Sequence, residues 1–573
     1  MIRVQWVLFY LLLWCTSFWV TVANNRPNAN IMRRPRLPRR AVETSPGNPT
    51  DVNRNPIPPY EEEYWFNQLI DHQNPKMGTF KQRYYHTWEF HKSGRYTAFG
   101  SSIDINTEHD TGGPIILSTP GESNAGDSWV DLTNSSIMGQ FAQKFNGATI
   151  VLEHRFFGDS NPQPDLSEKS LKFLTIQQAM DDLVYFAKNV KLPMPGGDQV
   201  PPNKVPWILV GGSYAETGAL TAWTMAKNPG IFWAGYSSSG VVQPIINFWQ
   251  YFEPIRQNMP QNCSADVERV ISLIDEKFAN GTQAEIKAIK TNFGLQALEY
   301  TDDVASARPI SRWQDLQPDP EYSNSTFFEF CDALEVKDGV QAASSGWGLQ
   351  HAYDAMGLYF RKVYIKKMCG NYDVKTCFNT HNTTSTDTSL DNWNRSWCNE
   401  VGWYQTGPPK GTPAIVSRLV SEEYNQHSLC VNYFPKTFTL ADRPRVLETT
   451  SAFHGWDIQV DRLFVANGRR DPWLAATLSA PSQNIASTDS RPIAISDGFH
   501  CSDMLTSNGL VDPTILDVQQ KALASMKVWL PKFKATDRTT TNLDIDKTNN
   551  SALRFLPKRS HYYMLLGCTL SML

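Results

Sequence analysis

A serine hydroxyl is a poor nucleophile near neutral pH. It becomes an effective one when a histidine takes its proton, a carboxylate orients that histidine, and N–H donors hold the oxyanion that forms. Ser213 is well placed for such chemistry. It stands in Gly211-Gly212-Ser213-Tyr214-Ala215, directly after the apolar run Trp207-Ile208-Leu209-Val210 and ahead of the helix-compatible GALTAWTMAK. A nucleophile on a tight strand-to-helix turn needs small neighbours, and Gly211 and Ala215 meet that need, although Ala215 breaks the strict Gly-x-Ser-x-Gly pattern. Gly-x-Ser turns are widespread, so the motif gains its meaning from partners further down the chain.

Two later segments supply those partners. Asp471 in NGRRDPW follows the apolar run Leu463–Ala466, and His500 in DGFHC follows Pro492–Ile495. Both lie at expected carboxyl ends of strands, where open α/β sheets build their sites. The order Ser, Asp, His is that of the α/β-hydrolase fold. His351, His454, Asp457, Asp461 and Asp503 compete as core or solvated residues, and none joins an apolar strand to a Gly-marked turn as well. Tyr214, the residue after the nucleophile, is expected to offer one backbone N–H to the oxyanion, and Gly121 a second.

The elements that must position these residues are legible as a strand–helix alternation from about residue 60. GGPIILSTPGE (112–122) and NGATIVLEHRFFGDS (146–160) each contain a short apolar strand. Ile176, Met180, Leu183, Val184 and Ala187 recur at helical spacing, and Thr175 with Gln178 resembles a capping box. Strand, helix and strand with short links imply parallel pairing and a right-handed crossover. After residue 245 the pattern changes. Residues 246–440 hold most of the cysteines and glycosylation sequons, with amphipathic stretches such as VERVISLIDEKF (267–278), and read as a helical cap insertion. The organisation expected is therefore an α/β domain in two parts, 59–245 and 441–535, interrupted by that cap.

The ends read differently. Residues 1–23 read as a cleaved apolar secretory signal, with an uncleaved membrane anchor as the alternative, residues 24–58 with RRPRLPRR at 33–40 as a disordered leader or propeptide, and residues 536–573 as a weakly structured tail. A lipid-anchor signal in the tail is disfavoured, because Lys558 and Arg559 precede a short apolar run. Without Cys15 of the signal, the cysteines are 263, 331, 369, 377, 398, 430, 501 and 568, an even set that points to disulfides and not to zinc, since none forms a CxxC pair. Sequons begin at Asn134, Asn262, Asn280, Asn324, Asn382, Asn394 and Asn549, and their concentration in the insertion implies an exposed region. With 573 residues, 41% hydrophobic and 19% charged, the chain is globular and larger than one ordinary core, and a net charge of −4 gives no general attraction to nucleic acid.

The chain resembles the secreted and lysosomal serine peptidases related to prolylcarboxypeptidase and dipeptidyl peptidase II. The resemblance rests on FNQLIDHQNP with TFKQRYY (66–85), EHRFFGDS (153–160), GGSYA (211–215), WCNEVGWYQTG (397–407), NGRRDPW (467–473) and DGFHCSDM (497–504), in the family's order. It implies an α/β-hydrolase domain with a helical cap and peptide-bond hydrolysis, often beside proline and at acidic pH. It carries over Ser213 as nucleophile, Asp471 as orienting acid and His500 as base. Trp473 matches an aromatic that lines the proline pocket in relatives, and Glu153, His154 and Arg155 are assigned to scaffold beside the site. One departure is Glu216-Thr217, two residues inserted before GALTAW, enough to rotate a helix by about 200°. No metal or cofactor is expected. The partners expected are proline-containing peptides, with no nucleic acid and no stable membrane anchor, and a homodimer is left open. The setting is extracellular or vacuolar/lysosomal. An esterase or lipase on the same fold, or a catalytically weakened secreted homologue, are the competing readings, and exo- against endopeptidase mode stays open.

Overall fold

The computed structural model describes residues 49–92, 112–214, 218–320, 326–381 and 394–536. The signal, most of the leader, Ala215–Thr217 with the Glu216-Thr217 insertion, the sequons at Asn324, Asn382 and Asn549, and the tail beyond Thr536 lie outside the described residues. Strands β1 (Tyr64–Leu69), β2 (Thr79–Thr87), β3 (Ile115–Ser118), β4 (Ala148–Leu152), β5 (Trp207–Gly212) and β6 (Ala234–Ser238) come first along the chain. Next, β7 (Ile245–Asn247), β8 (Val336–Lys337), β9 (Val340–Gln341) and β10 (Gly402–Tyr404) form two small pairs, β7 with β10 and β8 with β9. Finally β11 (Leu463–Gly468) and β12 (Ile493–Ser496) return to the main sheet.

The main sheet has the order β1-β2-β4-β3-β5-β6-β11-β12. Its pairs are parallel from β4 to β12, and β2 is antiparallel to both β1 and β4. This is an α/β-hydrolase architecture. The short apolar runs of the sequence are explained by burial on both faces. Ile115, Leu117, Ile150, Leu209 and Val465 face one core, and Ile116, Val151, Ile208, Val210 and Phe464 face the other. Helices Ile176–Asn189 and Gly218–Lys227 cover the first face, and Ile137–Phe145 and Pro513–Trp529 cover the second.

Local signals hold in part. Thr175 Oγ1 accepts the Gln178 N–H at 3.2 Å as a helix cap. The return half of the capping box is absent, because the Gln178 side chain serves Asp71, His72 and Arg155 instead. The leader is also ordered earlier than its composition implied. Asp51 Oδ1 accepts the N–H groups of Asn53 and Asn55 at 2.8 Å, and Ile57 is buried, so structure begins before residue 58.

Between β6 and β11 run residues 239–462, in which helices predominate, the longest being Gln261–Asn280. All three disulfides found among the described residues lie there: Cys263–Cys331, Cys369–Cys377 and Cys398–Cys430. Of the other two cysteines in the even set, Cys501 is buried and Cys568 lies outside the described residues. The expectation that sequons mark exposed chain fails at two positions. Asn134 and Asn280 are exposed, whereas Asn262 is 5% and Asn394 0% exposed, each on a helix that packs into the insertion's interior.

Candidate active site

Ser213 sits at the end of β5 with φ +59°, a left-handed conformation unusual for serine. Such geometry costs on the order of 1–3 kcal/mol and persists only where neighbours enforce it. Here the Ser213 N–H donates to the Ser238 carbonyl at 2.9 Å, and the Ser213 carbonyl accepts from Ala219 at 2.9 Å. The approach of the following helix requires Gly218, since a Cβ there would lie 2.4 Å from the Ser213 carbonyl oxygen.

The three residues singled out from the sequence converge. His500 Nε2 lies 3.0 Å from Ser213 Oγ, and His500 Nδ1 lies 2.9 Å from Asp471 Oδ1. All three are fully buried. Asp471 Oδ1 also accepts the Trp473 N–H at 2.9 Å, which fixes the carboxylate plane. The two loops are tied to each other by the Arg469 N–H on Ser496 O and the Arg470 N–H on Gly498 O, at 2.8 and 3.0 Å. This arrangement can pass a proton from hydroxyl to imidazole while the carboxylate holds the ring.

Beneath the triad, the turn after β6 fastens nucleophile and base to one anchor. Ser239 Oγ accepts the Cys501 N–H at 3.0 Å, and Ser238 Oγ donates to Asp503 at 2.9 Å. Asp503, read from sequence as a solvated rival, is instead buried and also accepts from Tyr236 Oη at 2.5 Å. Burial pushes its carboxyl up, against the pull of those two hydroxyls. The other rivals His454, Asp457 and Asp461 are exposed.

The secondary assignments divide. Tyr214 is buried beside the nucleophile, with its ring edge-on to Trp223 and Trp403. Its hydroxyl is pushed well above the usual phenol range by burial and by Glu400 and Glu122. Gly121 turns at φ +70°, and its N–H goes to Thr119 Oγ1 at 3.1 Å, so that donor is engaged within its own turn and not aimed at an oxyanion. Trp473 is fully buried in an aromatic group with Phe248, Tyr251 and Trp403, its ring 6.3 Å from that of His500.

EHRFFGDS does support work. Glu153 accepts from Arg83 Nη2 at 2.7 Å and from the Ala125 N–H at 2.8 Å, bracing the loop that follows Gly121. Arg155 grips Asp182 with Nε at 2.7 Å and Nη2 at 2.5 Å. Burial works against that carboxylate, yet Arg155 and His72 hold Asp182 below its usual range. The family motif WCNEVGWYQTG adds a group that sequence reasoning passed over. Glu400 is buried next to Tyr214 and accepts the Ile176 N–H at 3.2 Å.

Burial pushes the Glu400 carboxyl up to about 7. A raised acid keeps its proton in the fold after the unfolded chain has released its own. Its contribution to stability is therefore complete below the ordinary value of 4.5 and is lost as pH rises to about 7. Glu335, raised to about 7 by burial and by Asp266, acts in the same window. His86, His91 and His154, each lowered to about 4 by burial, act in the opposite direction as pH falls. The sign is therefore read from the variant: the melting temperature of wild type relative to Glu400→Gln is expected to be higher near about pH 5 than near about pH 7.5. An unchanged difference in differential scanning fluorimetry refutes the assignment.

Away from the site, Asp302, Asp303 and His381 come within metal-ligating reach of one another. Their contacts are explained without an ion: His381 Nε2 pairs with Asp302 at 3.0 Å, and Asp303 accepts from Thr380 Oγ1 at 2.6 Å.

Comparison with known proteins identifies relatives over most of the chain. The serine protease vicPa of Bipolaris victoriae is 32% identical over 497 residues, covering 82% of this chain and 88% of that protein. A protein named "Probable extracellular serine carboxypeptidase" from Arthroderma benhamiae is 31% identical and covers 79% of this chain and 68% of its own length. The human lysosomal Pro-X carboxypeptidase is 24% identical over 541 residues, covering 88% of this chain and 95% of its own. The model of the serine carboxypeptidase S28 family matches residues 68–523, and the chain belongs to that family of serine peptidases.

Proposed function

We propose that this peptidase cleaves peptide bonds next to proline through an acyl-enzyme formed on Ser213, in the extracellular space or an acidic lysosome-like compartment. The observation that carries the mechanism is the unbroken hydrogen-bonded chain from Ser213 Oγ through His500 to Asp471. His500 Nε2 takes the hydroxyl proton as Oγ attacks the scissile carbonyl carbon, and the Tyr214 N–H stabilises the resulting oxyanion. The imidazolium, held by Asp471, gives its proton to the departing amine. Water then enters, loses a proton to His500, and releases the acid with Ser213 restored.

Support for proline comes from the match of Trp473, whose ring lies 6.3 Å from that of His500 within a buried aromatic cluster, to the aromatic expected near the proline site. The relative named as a Pro-X carboxypeptidase points the same way. Support for the compartment comes from the three disulfides and from the extracellular and lysosomal names of relatives. A panel of short peptides with proline or alanine before the scissile bond, free or blocked at each end, tests the reading alongside simple esters. Proline peptides are expected to have the highest kcat/KM. Efficient ester turnover with no peptide cleavage overturns it in favour of an esterase.

A further inference from the structure

The insertion hydrogen-bonds to the loops of Asp471 and His500 through one short segment. The short helix Pro309–Asp315 and the residues after it cross the loop that carries Asp471 and the loop that carries His500. Trp313 Nε1 donates to the Arg470 carbonyl at 2.8 Å, next to the acid. Gln314 Oε1 accepts from Trp473 Nε1 at 2.9 Å, two residues beyond the acid. Gln317 Nε2 donates to the carbonyl of His500 itself at 3.1 Å. We infer that this strap sets the spacing of the acid and base loops, with Gln317 as a positioning residue for the general base.

Gln317 is suited to that role because its amide is buried and hydrogen-bonded through both its nitrogen and its oxygen. It is 4% exposed, and its Oε1 accepts from Ser502 Oγ at 2.8 Å and from Asn508 Nδ2 at 3.0 Å. The His500 main chain is thereby held from two sides, by Gln317 on its carbonyl and by Ser239 on the next N–H. The sheet fixes where β11 and β12 end, but their loops extend past the last ladder bonds. A loop that drifts by about 1 Å loses roughly 10²-fold in rate, so bonds at these positions bear on catalysis and not only on adhesion of the insertion.

An adhesive role and a positioning role differ in their kinetic signature. Simple adhesion predicts a lower melting temperature with normal turnover per folded molecule. Positioning predicts a fall in kcat with KM nearly kept. Gln317→Ala is expected to lower kcat by about 10- to 100-fold with KM changed by less than about threefold, and to slow fluorophosphonate labelling of Ser213 in parallel. Gln317→Glu keeps both acceptor contacts but can donate to His500 only when protonated. Its turnover relative to wild type is expected to recover as pH falls. Should Gln317→Ala fail to fold, Trp313→Phe removes only the donor to Arg470 and is expected to lower kcat by severalfold.

The inference rests on the triad, and labelling separates the two. Wild-type protein that takes no fluorophosphonate overturns the triad and the strap together. Wild type that labels, with variants that label and turn over within about twofold of it per folded molecule, overturns the strap alone.

Discussion

Ser213→Ala is expected to lower kcat by about 10⁶-fold, leaving only the residual rate that binding and oxyanion donors sustain. The expectation follows from interdependence. His500 has no proton to take without the hydroxyl, and Asp471 has no imidazolium to orient, so removing one member removes the function of three. The fold should survive, because the Ser213 contacts that hold the elbow are made by its backbone, not by Oγ. Peptide turnover with burst kinetics, alongside circular dichroism, checks both halves. A variant within tenfold of wild type ends the assignment of Ser213 as nucleophile, whatever its neighbours do.

The second large effect is structural. Arg155→Met is expected to destabilise the protein by about 3–5 kcal/mol, because Asp182 would remain buried and uncompensated. That is a substantial share of the roughly 5–15 kcal/mol by which domains are stable. Arg155 is fully buried and also donates to the carbonyls of Leu69, Ile70 and Phe173, so it joins the start of the sheet to the helix Ile176–Asn189. His72 Nε2, 2.8 Å from Asp182, makes one hydrogen bond to the carboxylate and does not replace the two-pronged grip of a permanent guanidinium charge. Denaturant melts are expected to show the loss, and the double variant Arg155→Met with Asp182→Leu should recover most of it. Recovery is the informative result, since an apolar pair of similar volume replaces a buried ion pair at little cost. Equal instability of the single and double variants would assign the effect to Arg155's carbonyl contacts and not to the orphaned charge.

Much of this site was legible in the sequence because local chemistry marks it. Apolar runs of β-strand length ending in Gly-Gly-Ser, Asn-Gly and Asp-Gly-Phe-His identify β5, β11 and β12 and the residues at their ends. Three features were not legible, for a common physical reason. Asp503 reads as one more acidic loop residue until Tyr236 and Ser238, some 265 positions earlier, close over it. Gln317 has no apolar strand before it and no glycine beside it, and its importance comes wholly from long-range bonds. Gly121 shows the same limit from the other side. Its Pro-Gly turn was real, but the hydroxyl of Thr119, two residues back, captures the N–H. Periodicity reports which face of an element is apolar, and says nothing of which distant polar group will meet it. The buried sequons follow the same rule, since Asn-x-Ser/Thr specifies an acceptor tripeptide and not its accessibility.

The pairing of β6 with β11 joins residues 235–238 to residues 463–466 across the whole insertion. A ribosome must therefore deliver well over two hundred further residues after Ser213 before either Asp471 or His500 exists. Closing so long a loop is slow compared with forming local helices. Throughout that interval the growing polypeptide carries an inert serine, so the enzyme cannot attack its own unfinished chain or its neighbours. Silence during synthesis is built into strand order itself.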